Sequence, residues 1–288
     1  MKTNIIYTSY KDFISMFLDE ALFFSFYNSP YPAHKFSTAI DIYPKDEPLF
    51  PFDEGRVIFI KWFNAPRKRS DALDKEPLIL VQLTPFTVAK ILHVEPRVRV
   101  GEKIYYGDPL GRLIVSGYMY VWSEKHMHIE IRPLHDPLRV RGAYRLKILS
   151  LRKEVPTTNS IEGIVTHRNT YYVLIKPSKT IGYGPTPLST GNDKTQYFLE
   201  GGYPHYGYIA MINPGKNKGE IDLGLYNASL YEAPTRDTVL VDKETGQVFH
   251  GVSIHFSREY IKLVSRKPIN NVREGDYITL GKLFMEDR

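Results

Sequence analysis

The stretch KHMHIEIRP, residues 125–133, alternates polar and apolar side chains from His126 onward. In an extended chain successive side chains point to opposite faces. His126, His128 and Glu130 therefore fall on one side, with Met127, Ile129 and Ile131 on the other. The stretch predicts a β-strand, and a slip of one residue would send both histidines into the apolar layer. Two imidazoles on one strand face, two positions apart, can converge on one ion or one polarised water. A polar, solvent-facing strand side would carry the same pattern, so the triplet alone leaves both readings open.

The same texture recurs outward from this strand. FSTAIDIYP (36–44), GRVIFIKWF (55–63), PLILVQL (77–83), AKILHVEP (89–96) and GRLIVSGYMYVW (111–122) are short apolar runs bounded by Gly, Pro or Asp, the signature of strands. Beyond residue 160, IEGIVTHRN, TYYVLIKP, GVSIHF and YIKLVS form a second series. A content of 21 Tyr and 15 Phe suits strands better than helices. One segment reads differently. In YKDFISMFLDEALFFS (10–25), apolar residues at 13, 14, 16, 17, 18, 21 and 22 with acids opposite predict one amphipathic helix.

The chain is thus expected to be mainly β with a short N-terminal helix. It divides into a helical segment over 1–30, a β domain over 31–152 and a second β-rich domain over 153–288. The boundary is placed in LRKEVPTTNS (151–160), where the texture resets, and KTIGYGPTPLSTGNDKTQ (179–196) reads as a long loop. NAPRKRSDALDKEP (64–77) reads as a charged surface loop between two strands. A weak internal echo links VRVGEKIYYGDPLG (98–111) with NVREGDYITLGKLF (271–284), each turning on a Gly-acid pair.

Composition excludes several classes. There are no cysteines, so disulfides and thiolate zinc sites are ruled out, and any zinc must be held by His, Asp or Glu. The net charge of +6 is scattered, with its densest cluster at Arg67, Lys68 and Arg69, and no nucleic-acid-binding motif accompanies it, so no nucleic-acid partner is expected. No stretch approaches the ~20 apolar residues of a membrane span. The N-terminus MKTNIIYTSYKDFISMF lacks the clean apolar run of a signal peptide, and a cytoplasmic location is the expectation.

Of the nine histidines, those at 167, 205, 250 and 255 have no interpretable arrangement and are expected to be structural. His34 and Asp41 add one nitrogen and one oxygen ligand of kinds zinc accepts. With His128 they make two histidines and one carboxylate, leaving a fourth position open, as in catalytic rather than structural zinc sites.

The ordered set His34…Asp41, PFDEGRV (51–57), ILHV (91–94), VRVGEKIYYGDPLG (98–111) and HMHIEI (126–131) resembles the lysostaphin-type zinc metallopeptidases over about residues 31–135. The first pair departs from that family's commonest spacing, with six residues between His34 and Asp41. The resemblance implies a duplicated-hybrid-motif, or barrel-sandwich, β domain. It implies zinc on His34, Asp41 and His128, with His93 and His126 as non-ligand histidines flanking the water and the scissile carbonyl. The activity implied is hydrolysis of a peptide bond. The substrate would be a peptide, biased toward acidic sequences if the basic loop at 64–77 forms a flap beside the cleft. The rival expectation is a non-catalytic β-rich binding or scaffold protein that retains the zinc-site fold. Oligomeric state is not readable from the sequence.

Overall fold

A computed structural model describes residues 3–8, 14–19, 22–149, 160–178, 198–212, 220–221, 228–233, 235, 239–256 and 258–282. The protein is mainly β, as expected, with curled antiparallel sheets. It divides into two compact units. One comprises Met1–Phe26, Tyr31–Leu151 and Asp222–Gly224; the other comprises Tyr27–Pro30, Arg152–Ile221 and Leu225–Arg288. The sequence placed its boundary and its 179–196 loop in segments that, apart from Ser160, lie outside the described residues.

The first unit contains β1 (Thr3–Thr8), β2 (Ser15–Asp19), β3 (Phe23–Ser25), a single helical turn α1 (Pro32–Lys35) and β4 (Ile40–Tyr43). These are followed by β5 (Glu54–Asn64), β6 (Lys75–Gln82), β7 (Thr87–Leu92), β8 (Val94–Pro96), β9 (Lys103–Tyr105), β10 (Gly111–Leu113), β11 (Met127–Pro133) and β12 (Leu146–Leu149). Seven of them form one antiparallel sheet in the order β3-β4-β11-β7-β6-β5-β9.

Register turns the alternation read in the sequence into two faces. Ile40, Ile129, Ile91 and Ile79 stand in one row across β4, β11, β7 and β6, and all are fully buried. Each such side chain contributes roughly 1.5–3 kcal/mol of burial. The adjacent row carries Asp41, His128, Leu92 and Leu78 on the opposite face. Hence β11 is flanked on both sides by strands that share its phase.

Of the N-terminal helix expected over 10–25, the described residues 14–19 and 22–25 contain no helix. Ser15–Asp19 is instead a strand, pairing antiparallel with β1, and Phe23–Ser25 is a strand on the edge of the main sheet, pairing with β4. Ile14, Met16 and Leu18 are buried at every second position while Asp19 is exposed. The same apolar residues satisfy periods of 2 and 3.6, and cross-strand pairing decides between them. β1 also pairs with β12, so this segment is tied to chain more than a hundred residues away.

Both Gly-acid pairs of the internal echo are turns in the left-handed region, with Gly101 at φ 91° and Gly275 at φ 94°. No helix among the described residues is long and apolar enough to cross a membrane.

The second unit is built on eight antiparallel strands. Their spatial order is Ala228–Glu232, Tyr208–Ile212, Phe198–Tyr203, Gly251–Ile254, Ile261–Val264, Tyr172–Pro177, Ser160–Arg168 and Tyr277–Lys282. Its core gathers Val173, Ile175, Leu199, Ile209, Val252 and Leu263 with their neighbours. His205 is buried in it, its Nε2 3.2 Å from Ser253 Oγ. Burial first, and then the positive charge of Lys262, push its pKa down to about 3.

A pH dependence follows. Between pH 6.5 and 3 the unfolded chain protonates this histidine and the native state does not. Stability is therefore intact above pH 6.5 and falls as pH drops, by up to roughly 1.4 kcal/mol per pH unit. Thermal melts should show a lower Tm at pH 5 than at pH 7, and His205→Gln should reduce that difference. An equal drop in the variant would assign the acid sensitivity elsewhere.

Candidate metal centre

α1 exists because Pro32 opens it and the chain turns tightly before β4. That single turn places His34 inside the unit, 1% exposed. Its Nδ1–H donates to the Phe26 carbonyl at 2.8 Å, which fixes the tautomer and leaves Nε2 facing inward. Asp41 on β4 and His128 on β11 are direct cross-strand partners, so their side chains leave the sheet together.

Three atoms converge there. His128 Nδ1 lies 2.9 Å from Asp41 Oδ1 and 3.1 Å from His34 Nε2, and His34 Nε2 lies 3.3 Å from Asp41 Oδ1. Among the described residues this is the one group of His, Asp and Glu whose ligand atoms all lie within 4.8 Å of one another. Three donors about 2.0–2.1 Å from one tetrahedral zinc stand roughly 3.4 Å apart. The triangle is slightly tighter than that and of the right shape and donor type, so the residues fit the ion.

The outer contacts fit as well. His128 Nε2 lies 3.3 Å from Glu130 Oε1, and Glu130 is held by Lys90 Nζ at 2.8 Å and by the wholly buried Arg132. A carboxylate behind a ligand imidazole orients the ring and raises its basicity. Burial disfavours the charge on His128, but hydrogen bonds to Asp41 and Glu130 outweigh it and raise its pKa to about 9. Burial likewise opposes the charge on Asp41. The surrounding imidazoles of His126, His34 and His128, the last also through a hydrogen bond, overcome it and hold the carboxyl well below its usual range.

His126 and His93 stand beside this triangle. His126 Nδ1–H donates to the Glu124 carbonyl at 2.8 Å, and its Nε2 is 3.4 Å from Asp41 Oδ2. Burial drives its pKa down to about 4, so the ring is neutral at neutral pH. The His93 ring centroid is 5.0 Å from that of His126 and 5.9 Å from that of His128. All five residues singled out in the sequence are thus brought together, with Glu130 behind them.

Sequence reading missed Glu76, which is fully buried and hydrogen-bonded to His93, together with its second partner Ser116. It also missed Lys90 and Arg132. Glu76 stands immediately before the apolar run PLILVQ, and an isolated acid at that place is the available signal.

The loop itself is shorter than expected. β5 and β6 pair as far as Asn64 and Lys75, leaving 65–74. Lys68 N donates to the Gly117 carbonyl and Leu73 N to the Val115 carbonyl. The Lys68 ammonium sits 4.7 Å from the Tyr31 ring centroid and 4.5 Å from that of Tyr120, and the Arg69 guanidinium donates to the carbonyls of Tyr120 and Ser123. Two of its three basic side chains are therefore engaged by the segment 115–123 and by Tyr31, three residues before His34. The loop is fastened rather than free-standing.

Fold and site together define a mainly β protein carrying a buried cluster of two histidines and one aspartate. The model of a family described as a domain of unknown function (DUF8155), N-terminal domain, matches residues 14–148. That is just under half of the chain, and it contains every residue of the cluster. Neither the comparison with curated proteins nor that with solved structures gives a match.

Proposed function

We propose that this protein is a zinc-dependent hydrolase of peptide bonds, of the lysostaphin type that the sequence resembles. The observation that carries the reading is the convergence of His34 Nε2, Asp41 Oδ1 and His128 Nδ1 on one point, with Glu130 behind His128. Zinc held there would supply Lewis-acid polarisation of a carbonyl and a water ionised near neutral pH. His34, Asp41 and His128 hold the ion. His126, neutral and with Nε2 turned toward the centre, and His93 beside it are suited to accept a proton from the water and, once protonated, to pass it to the leaving amine. An acidic bias in the peptide would rest mainly on Arg67, since Lys68 and Arg69 are engaged nearby.

A second reading is a non-catalytic β-rich binding or scaffold protein that retains the zinc-site fold. The burial of the cluster favours it, with Asp41 only 2% and His128 only 7% exposed. Elemental analysis of the purified chain and mass-spectrometric screening of a degenerate peptide library separate the two. The hydrolase reading expects about one zinc per chain and cleavage. It also expects His93→Ala and His126→Ala to retain the zinc while cleavage falls by roughly 10²–10⁴-fold. Absence of cleavage supports the scaffold, and no zinc after incubation with the metal ends the hydrolase reading.

A further inference from the structure

We propose that Glu76 is a positioning residue for His93: its carboxylate fixes the Nδ1–H tautomer of that ring and leaves Nε2 as its one basic atom beside His126. The use of that atom rests on the hydrolase reading above, whereas the fixing of the ring does not.

Register brings Glu76 to the site. It lies two residues before Leu78 on β6; Leu78 pairs with Leu92 on β7, and Leu92 with His128 on β11. Residues two apart share a face, so Glu76 stands on the face that bears Asp41 and His128. Its carboxylate is wholly buried, a position in which acids occur only when paired. Oε1 accepts the backbone N–H of His93 at 2.7 Å and its Nδ1–H at 2.8 Å, and Oε2 accepts the hydroxyl of Ser116. An ionised carboxylate can only accept, so the proton on the ring resides at Nδ1. Burial works against the charge on Glu76, and the contacts with His93 and Ser116 outweigh it, keeping its pKa below the usual range.

The backbone points the same way. His93 has φ 67°, in the left-handed region that a non-glycine residue rarely adopts. The carboxylate that takes the ring proton also takes the backbone N–H of this residue, so the strained conformation and the ring orientation are held by one group. Strain maintained by surrounding contacts is characteristic of functional positions. A carboxylate on Nδ1 that leaves Nε2 to act is also how acid–base histidines are oriented in hydrolases.

The test needs no substrate. Long-range 1H–15N spectra are recorded on the metal-free full chain with 15N-labelled histidine at about pH 8.5, where an ordinary imidazole is neutral. The His93 signals are assigned by their loss in His93→Gln. In the wild type, His93 should be predominantly the Nδ1–H tautomer. Glu76→Met should shift it by several-fold toward the Nε2–H form while the His34 signals stay in place. Glu76→Asp, which withdraws the carboxylate by one methylene and keeps its charge, should give an intermediate population. An Nε2–H ring in the wild type, or an Nδ1–H preference unchanged in Glu76→Asp and in any folded Glu76→Met, would overturn the proposal. Zinc titration of the same samples is expected to be unaffected by the Glu76 changes. Absence of zinc binding in the wild type would end the hydrolase reading and leave the tautomer result standing.

Discussion

Replacing Asp41 with asparagine is expected to weaken zinc binding by at least roughly 100-fold, more than the 10- to 100-fold that follows loss of an outer partner alone. The amide keeps the shape of the carboxylate and can still accept from His128 Nδ1, so the cross-strand pair of β4 and β11 is preserved. It removes the one anion of the triangle. It also removes the negative charge facing His34, His126 and His128, all within 3.4 Å of its oxygens. Elemental analysis after dialysis against a weak chelator reads the effect, and melting of the metal-free variant beside the metal-free wild type separates it from unfolding. Full zinc retention in Asp41→Asn would show that the ion, if bound, lies elsewhere.

The second large effect is on stability. Arg132→Met should cost about 3–5 kcal/mol, the usual penalty for breaking a buried charge pair from one side. Arg132 is fully buried. It pairs with Glu130, and it donates through Nε to the Asp136 carbonyl at 3.0 Å and through Nη2 to the Arg141 carbonyl at 2.8 Å. The variant strips those donors and leaves Glu130, 3% exposed, to Lys90 and His128. Burial raises the pKa of Glu130, but the hydrogen bond and charge of His128 and then Lys90 bring it down to about 2, so the carboxylate stays ionised at neutral pH. Urea unfolding at pH 7 measures the loss. The double variant Glu130→Gln, Arg132→Met should recover part of it, because the uncompensated charge has gone. A loss under about 1 kcal/mol would mean that solvent reaches this network.

The alternation in KHMHIEIRP determined the β class and the separation of His126, His128 and Glu130 from Met127, Ile129 and Ile131, because side-chain direction in an extended chain depends only on parity. Without cysteine only His, Asp and Glu can hold zinc, and the choice of His34, Asp41 and His128 among them is what the resemblance to the lysostaphin-type peptidases implied. Parity says nothing about partners. That Asp41 stands opposite His128, 87 residues away, is a matter of register between β4 and β11, and the tertiary structure alone decided it.

The same limit explains what was misread. Ser15–Asp19 carries apolar residues that fit a helix or a strand, and pairing with β1 selected the strand. Glu76 looks like one more charge in a charged stretch until β6 and β7 pair and His93 adopts its left-handed backbone above it. Lys68 and Arg69 look solvated until the segment 115–123 comes to meet them. A buried charge and an exposed one have the same letter in a sequence. What distinguishes them is the desolvation that long-range packing imposes and the partner that the same packing supplies.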